Sequence, residues 1–541
     1  MRVLRAGTQA LLVMIGLGSI AIAFRTVFVS GMGWDAAFES YASLLIRPID
    51  PATTSLQQAY DIAPVDSEFY GVLIYQVVDG LRLILFQADE WLSFTSTETY
   101  LWIFAVNAAY AVIGATALAA AVGYAMKSRF LGLYVWAFVL ATPLFIGHAS
   151  MNYKDMPVAA GVTMVTAGLI FGWTMKRPVA GWCVTLALVF PGSLIALGSR
   201  GGAIVLVLAV IVGSTVIWLL SRRWGALIRV TTSSILAVFV ATVVILWSNP
   251  IARIDPLAWI PASIDRAGSY PWNGPIRMNG VDVISIDLPW WYVPVWLLAQ
   301  LPLLTLSMVF ATVLFAGWAL IKSRPALPRA DLVPLVPLLL QAIVVPIVIV
   351  ASGPVLYDGL RHVLFMIPAL VALTVITIRA LIGLTITSSG IKGAIPYLVA
   401  AIVTLASFAA VVRWYPYQYA FLNPIAGWDK QHRNWEVDYW GLSGREGVTA
   451  LLEQGAPLVQ VLPNGDSSSL FGGTRSREVI ERWPAGAWQY GIYSYMRWEN
   501  YLPGFCERTI EIRRDGILIG EGGLCPPPVE IIQSEMRPQS P

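Results

Sequence analysis

Lys154, Arg200 and Arg361 are basic residues set in short polar breaks between apolar stretches, in the segments GHASMNYKDMP, GSRGG and YDGLRH. Arginine offers a planar fork of donors that matches phosphate oxygens, and lysine adds a compact point charge. Converging at one membrane edge, the three would make a cationic site at the depth of a lipid phosphate. Taken singly, each is equally well read as a long side chain reaching from the hydrocarbon to the interface. Asp35, in GMGWDAAFESY, is a candidate general base for an acceptor hydroxyl, with Glu39 one helical turn further on as a possible second acid. Asp155 is a third acid, but it precedes Met156-Pro157, which suits a helix N-cap. His148, Asn152 and His362 are candidates to line the same site. His148, His362 and His432 are the only histidines, and a divalent metal held by them with Asp35 or Asp155 is an alternative use, although no helical i, i+4 spacing or cysteine partner supports it.

The elements that must carry these residues are membrane spans. Of the 541 residues, 57% are hydrophobic and 12% charged, half the charge of a soluble domain. The net charge of +3 suggests no nucleic-acid partner, and three cysteines are too few for a disulfide scaffold. A hydrocarbon core needs about 20 apolar residues per helix. Such runs lie near 10–29, 101–126, 130–148, 156–174, 178–198, 202–221, 227–247, 292–321, 331–351, 362–381 and 393–412, which predicts about eleven transmembrane helices. The first run, after MRVLRAGTQ, is too long for a signal-peptide core and is read as a retained span. Segment 69–88 is also apolar, but Gln76, Asp79 and Arg82 form a polar stripe along it, as in an interfacial helix.

The bias of Lys and Arg toward cytoplasmic loops orients these spans. If 69–88 does not cross and the N-terminus is inside, then Arg2, Arg5, Lys127, Arg129, Lys176, Arg177, Arg222, Arg223, Arg229, Lys322, Arg324, Arg329 and Lys392 all fall inside. Only Lys154, Arg200 and Arg361 remain on the short outer turns. The expectation is an α-helical polytopic membrane protein with the N-terminus in and the C-terminus out. Its transmembrane domain covers 1–412, with outer loops near 30–100 and 248–291, and a small α+β extracytoplasmic domain covers 413–541. In that outer domain Ser443-Gly-Arg-Glu446 reads as a capping box opening a helix through about Gln454. A strand is expected at 457–462. TIEIRR-Asp515-Gly516-ILIG reads as a hairpin with a two-residue turn. That register sets Cys506 opposite Cys525, and an oxidising outer compartment would join them in a disulfide. Cys183, inside a span, does not compete.

Several segments together resemble one group of proteins. WDAAFESY, GHASMNYKDMP, DLPWWYVPVW, YDGLRHVLFMIPAL and YPYQYAFLNPIAG with WEVDYWGLSGRE are similar to motifs of the GT-C superfamily. They resemble in particular the bacterial relatives of protein O-mannosyltransferases and of lipid A aminoarabinose transferases. The resemblance runs from about residue 30 to 450. It implies a polyprenyl-phosphate-linked sugar donor, a catalytic acid in the first outer loop that maps onto Asp35, and an active site on the outer face of the plasma membrane. The acceptor would be a glycan, a glycolipid or a protein. Where the group often has two adjacent acids, this chain has Ala36, leaving Glu39 as the alternative; where relatives tend to have Asn-Pro-Lys-Asp, it has Asn152-Tyr153-Lys154-Asp155. The implied reaction inverts the anomeric carbon, with Lys154, Arg200 and Arg361 stabilising the departing lipid phosphate. A transporter or lipid flippase is the rival class; it would need charges deep within the spans, of which Arg25, near an outer helix end, is the nearest case, and no internal repeat is visible in the sequence to point to an inverted-repeat transporter. A non-catalytic assembly partner with the same fold is the third reading.

Overall fold

The computed structural model describes residues 2–33, 69, 71–86, 97–321, 332–385, 389–426, 434–463, 487, 489–497 and 502–527. The expectations for Asp35, Glu39 and His432 lie outside the described residues.

Each of the apolar runs is helical. The bundle comprises α1 (Arg2–Val29), α2 (Leu73–Phe86), α3 (Thr97–Ala125), α4 (Arg129–Leu140), α5 (Pro143–Ala149), α6 (Asp155–Thr174), α7 (Pro178–Leu197), α8 (Ile204–Leu219) and α9 (Trp224–Ser248). Then come the short α10 (Pro250–Ile254) and α11 (Pro256–Gly268), α12 (Tyr292–Gln300), α13 (Leu303–Ile321), α14 (Val333–Ser352), α15 (Met366–Thr385) and α16 (Ser389–Arg413). Among the described residues nine helices are long and apolar enough to cross a membrane, and α4 with α5, bent by 67°, count as a tenth if the pair is one broken span rather than a re-entrant loop. The expected span 292–321 is two helices. Pro302 sits at the break and has no N–H to carry the helical ladder through it. The chain is a polytopic helical membrane protein. Its outer helix faces carry exposed Phe239, Trp247, Phe310 and Ile347, which only lipid can solvate. α6 is the central helix and is buried along nearly its whole length. Its Ala and Gly positions let α3 and α7 approach closely, as is usual in lipid, where packing replaces the hydrophobic drive.

α2, in the segment expected to lie in the interface, has 14 residues, and its polar stripe faces protein. Asp79 is 5% exposed and pairs with Arg82 at 3.8 Å, while Gln76 donates to the Ser248 carbonyl at 2.8 Å. Leu83, Ile84 and Leu85 point outward instead. The helix pairs its polar groups inside because a neighbouring helix end offers a carbonyl there.

Beyond α16 the chain forms α17 (Gly444–Glu453) and a mixed four-stranded sheet. A separate hairpin precedes them, β1 (Pro275–Met278) with β2 (Val281–Ile284). The sheet strands are β3 (Val459–Leu462), β4 (Tyr490–Tyr495), β5 (Glu507–Arg514) and β6 (Ile517–Cys525), in the order β3-β4-β6-β5. α17 starts where the capping box was expected, but Ser443 and Glu446 do not cap it. The Ser443 hydroxyl donates to Asp438 and accepts from Tyr493 at 2.6 Å, and Glu446 accepts from Tyr417 and Arg514 at 2.7 and 2.8 Å. Tertiary partners outcompete the local cap.

The β5–β6 hairpin turns at Asp515-Gly516, both with positive φ, 50° and 83°. Arg514 pairs Ile517 and Arg513 pairs Leu518; one extra residue in β6 then shifts the register, and one in β5 restores it, so Arg508 again pairs Gly523 and Glu507 pairs Leu524. The two compensating bulges keep Cys506 and Cys525 opposite each other, and they are joined by a disulfide with Cα atoms 4.3 Å apart. Closing a loop of 19 residues' separation contributes roughly 3 kcal/mol. Peptide mapping without reduction should yield a 506–525 cross-linked fragment, and Cys506→Ser with Cys525→Ser should lower stability by about that amount; two alkylatable thiols in the unreduced protein would contradict the pairing.

Candidate functional site

The site begins at the entry to α6. Asn152 folds its side-chain oxygen back to accept from the N–H groups of Lys154 and Asp155 at 3.3 and 2.9 Å, which satisfies two donors at the helix start. Asn152 therefore takes the capping role expected of Asp155. Asp155 is the first helical residue, and its carboxylate is turned sideways into the protein, 5% exposed.

That carboxylate is held from both sides. Arg200 Nη2 lies 2.7 Å from Oδ1, Arg361 Nε lies 3.9 Å from Oδ2, and Asn152 Nδ2 donates to Oδ2 at 3.1 Å. Two of the three cations singled out in the sequence thus meet on one acid. Lys154 is half-buried beside them; its carbonyl accepts from Ser199 Oγ at 2.6 Å, which ties it to the Arg200 turn, but it does not line the cavity the other two share.

Arg200 is placed by a backbone junction. The N–H of Gly71 donates to Ser199 O at 2.7 Å and that of Leu73 to Gly198 O at 3.2 Å. A Cβ on Gly71 would stand 1.8 Å from the Gly198 carbonyl, so only glycine allows this approach. The chain entering α2 therefore lies against the site.

Arg361 is placed by its own loop. Asp358 and Gly359 both have positive φ, 57° and 68°, and the tight turn sets Asp358 Oδ2 3.3 Å from Arg361 Nη1. The Arg361 guanidinium also lies over the rings of Tyr357 and Trp440, at 4.3 and 5.2 Å. Asp358 in turn accepts from Trp440 Nε1 at 3.2 Å and faces Arg497 Nη2 at 3.5 Å. Asp358, Arg361 and Arg497 are all at most 3% exposed. An ion pair that dry persists only because each charge has more than one partner.

His148 belongs to a second layer. Its Nδ1 accepts from Asn152 Nδ2 at 2.9 Å, which places the ring proton on Nε2, facing Tyr439 Oη at 3.1 Å. Asn107 of α3 fixes the helix end above it by donating to the His148 and Ala149 carbonyls at 3.2 and 2.8 Å. His362 packs edge-on to Tyr357, and burial, followed by the positive charge of Arg361, holds its imidazole well below the ordinary value, so it is neutral at pH 7. Among the described residues no three His, Cys, Asp or Glu side chains converge as a metal would require. Glu436 is buried near Asp358; burial, then the like charge of Asp358, pushes its carboxyl well above the usual range.

Beside the clasp lies a cavity of about 320 Å³. Asp155, Arg200, Arg361 and His362 form its polar end, and Val158, Leu206, Ile264, Ile349, Val355 and Phe365 its apolar walls. Counting the residues behind Arg361, three guanidinium groups (Arg200, Arg361 and Arg497) face two carboxylates (Asp155 and Asp358), so with His362 uncharged these residues together carry one net positive charge. An anion with an apolar tail matches such a shape.

Sequence reasoning passed over Asp358, Trp440, Arg497 and Tyr439. The Asp358-Gly359 pair, just before Arg361, was a usable signal, and so were the aromatic residues of WEVDYWG. Arg497 lies in a stretch that carries no motif, and nothing in the sequence marks it.

The class defined by this architecture is a polytopic helical membrane protein with a small C-terminal mixed sheet. No protein-family model and no curated protein matches the sequence. Among solved structures, the chain is similar to ArnT from Cupriavidus metallidurans bound to undecaprenyl phosphate, with 11% identity, TM-score 0.49, and 94% of this chain and 97% of that one covered. Its apo state gives 13% identity and TM-score 0.48 over the same shares. The archaeal oligosaccharyltransferase AglB from Archaeoglobus fulgidus, in complex with an inhibitory peptide and a dolichol-phosphate, gives 11% identity and TM-score 0.47, covering 81% of this chain and 58% of that one. These are likenesses of outline, and the functional reading below rests on the site's own geometry.

Arg497→Met should cost about 3 kcal/mol, because it leaves Asp358 buried with one cation fewer. Adding Asp358→Asn should recover part of that loss. Thermal unfolding of the purified variants checks this; additive losses in the double variant would show that the two residues do not act as a pair.

Proposed function

We propose that the protein is a glycosyltransferase that moves a sugar from a polyprenyl-phosphate donor to an acceptor hydroxyl at the outer face of the plasma membrane. The observation that carries this reading is the cavity in which Arg200 and Arg361, from distant parts of the chain, meet on Asp155 beside an apolar wall. The donor's phosphate would sit at the two guanidinium groups and its polyprenyl chain would lie along the apolar wall toward lipid. Neutral His362 is suited to donate a hydrogen bond without adding charge. Asp155 both orients the two arginines and tempers their charge, so that the phosphate binds and still leaves.

In the reaction, Asp35 takes the proton of the acceptor hydroxyl, and that oxygen forms a bond to the anomeric carbon. The bond from that carbon to the phosphate oxygen breaks on the opposite face, and its electron pair leaves with the lipid phosphate. Charge grows on the phosphate as the bond breaks, and the preorganised arginines stabilise it there. Inversion at the anomeric carbon follows. Sugar and acceptor class, whether glycan, glycolipid or protein, would be set by the outer loops.

The test is transfer by the full-length protein in liposomes, using polyprenyl-phosphate sugars as donors and mass spectrometry of the product. Asp35→Asn, nearly isosteric, should abolish turnover with expression unchanged. Arg200→Ala should weaken donor use roughly 10- to 100-fold, the worth of one or two charge-assisted contacts. Near-normal turnover in purified Asp35→Asn would remove the base from this scheme, and normal donor use in Arg200→Ala would remove the phosphate seat.

A further inference from the structure

A second cavity, of about 810 Å³, opens at the other end of the bundle between α1, α3 and α4. Asn107, beside the candidate site, and Ala125, beside this groove, are separated by roughly 27 Å of helix rise along α3. The groove's floor is made of small residues, Ala119, Ala120 and Gly123 of α3 and Gly132 of α4. Trp136 closes its inner end: the indole N–H donates to Thr116 Oγ1 at 3.1 Å, and the ring lies against Gly16 of α1, where a Cβ would stand 2.1 Å away.

The mouth is different in kind. Lys127 and Arg129 flank Ser128 in the turn joining α3 to α4, and both are exposed. Among the described residues neither is ion-paired with an acid. The far end of α1 meets α17, where Arg445 donates to the Phe28 carbonyl at 2.8 Å, and Val13 nearer its start lines the groove, so Arg2 and Arg5 lie on the groove's side of the bundle. The concavity thus has apolar walls facing the membrane core and unmatched positive charge at its rim. A soluble anion would find no partner on the walls, and a neutral hydrocarbon none at the rim.

We propose that this groove binds one anionic phospholipid, its headgroup phosphate at Lys127 and Arg129 and an acyl chain along α3 up to Trp136. A zwitterionic lipid presents its own cation to the same rim and gains less. Each Lys or Arg beside an anionic headgroup is worth about a fivefold change in affinity, so removing both should weaken retention roughly 25-fold.

The test is native mass spectrometry of the full-length protein released from nanodiscs, with phosphatidylglycerol and phosphatidylcholine of identical acyl chains as probes. The expected result is one phosphatidylglycerol retained under activation that strips phosphatidylcholine. Lys127→Asn with Arg129→Gln should lose it; asparagine suits the positive φ of 49° at Lys127. Ala120→Phe, which fills the floor from an exposed position and leaves the rim charges in place, should also lose it. Lys176→Gln with Arg177→Gln, the same charge removed from another exposed turn, should retain it. Equal retention of both lipids, survival of phosphatidylglycerol in the first two variants, or equal loss in the third would overturn the proposal.

Discussion

A carboxylate buried at the start of a buried helix is the constraint on which much of this molecule turns. Asp155 is held between Arg200 and Arg361, and stripping either cation from so dry a place would leave an uncompensated charge at a cost of about 3–5 kcal/mol. The three residues come from three chain segments: the entry of α6, the turn between α7 and α8, and the loop between α14 and α15. Their ion pairs therefore fix the relative height of helices that apolar packing alone would let slide. Packing in lipid has little directional preference, and a charged clasp at one end supplies it.

The network extends outward by the same logic. Arg361 needs a second acid because Asp155 is shared, and Asp358 provides it. Asp358 is itself too buried for one partner, and Arg497 reaches in from just after β4 to serve it. The C-terminal sheet is thereby coupled electrically to the cavity beside Asp155. Its disulfide and compensating bulges hold the sheet whose β4 delivers Arg497. The C-terminal unit thereby helps to keep Arg361 in position.

How much of this could be read from residues alone follows the range of the interactions. The helices were legible because apolar run length is a local property, and so was the Asp515-Gly516 turn with its paired cysteines. Arg200 and Arg361 stood out because they oppose the charge bias of their own loops. Their meeting on Asp155 was not legible: as N-cap and as counter-ion, Asp155 has the same neighbours in sequence. Asn152 took the cap because its amide can serve the backbone and Asp155 at once. Ser443 and Glu446 failed as a capping box for a related reason, since Asp438, Tyr417 and Arg514 offered them stronger partners from other elements. Break points such as Pro302 were visible as residues, but whether a proline kinks a span or ends it depends on neighbours.

The account turns on the clasp being a seat for a lipid-borne phosphate, and comparative binding of undecaprenyl phosphate and undecaprenol to the full-length protein in nanodiscs measures that directly. The two ligands share a chain and differ only in the anion. Preference for the phosphate by tenfold or more, lost in both Arg200→Ala and Arg361→Ala, is the result the account predicts. Equal affinity for the alcohol and the phosphate, or a preference untouched by both substitutions, would contradict it.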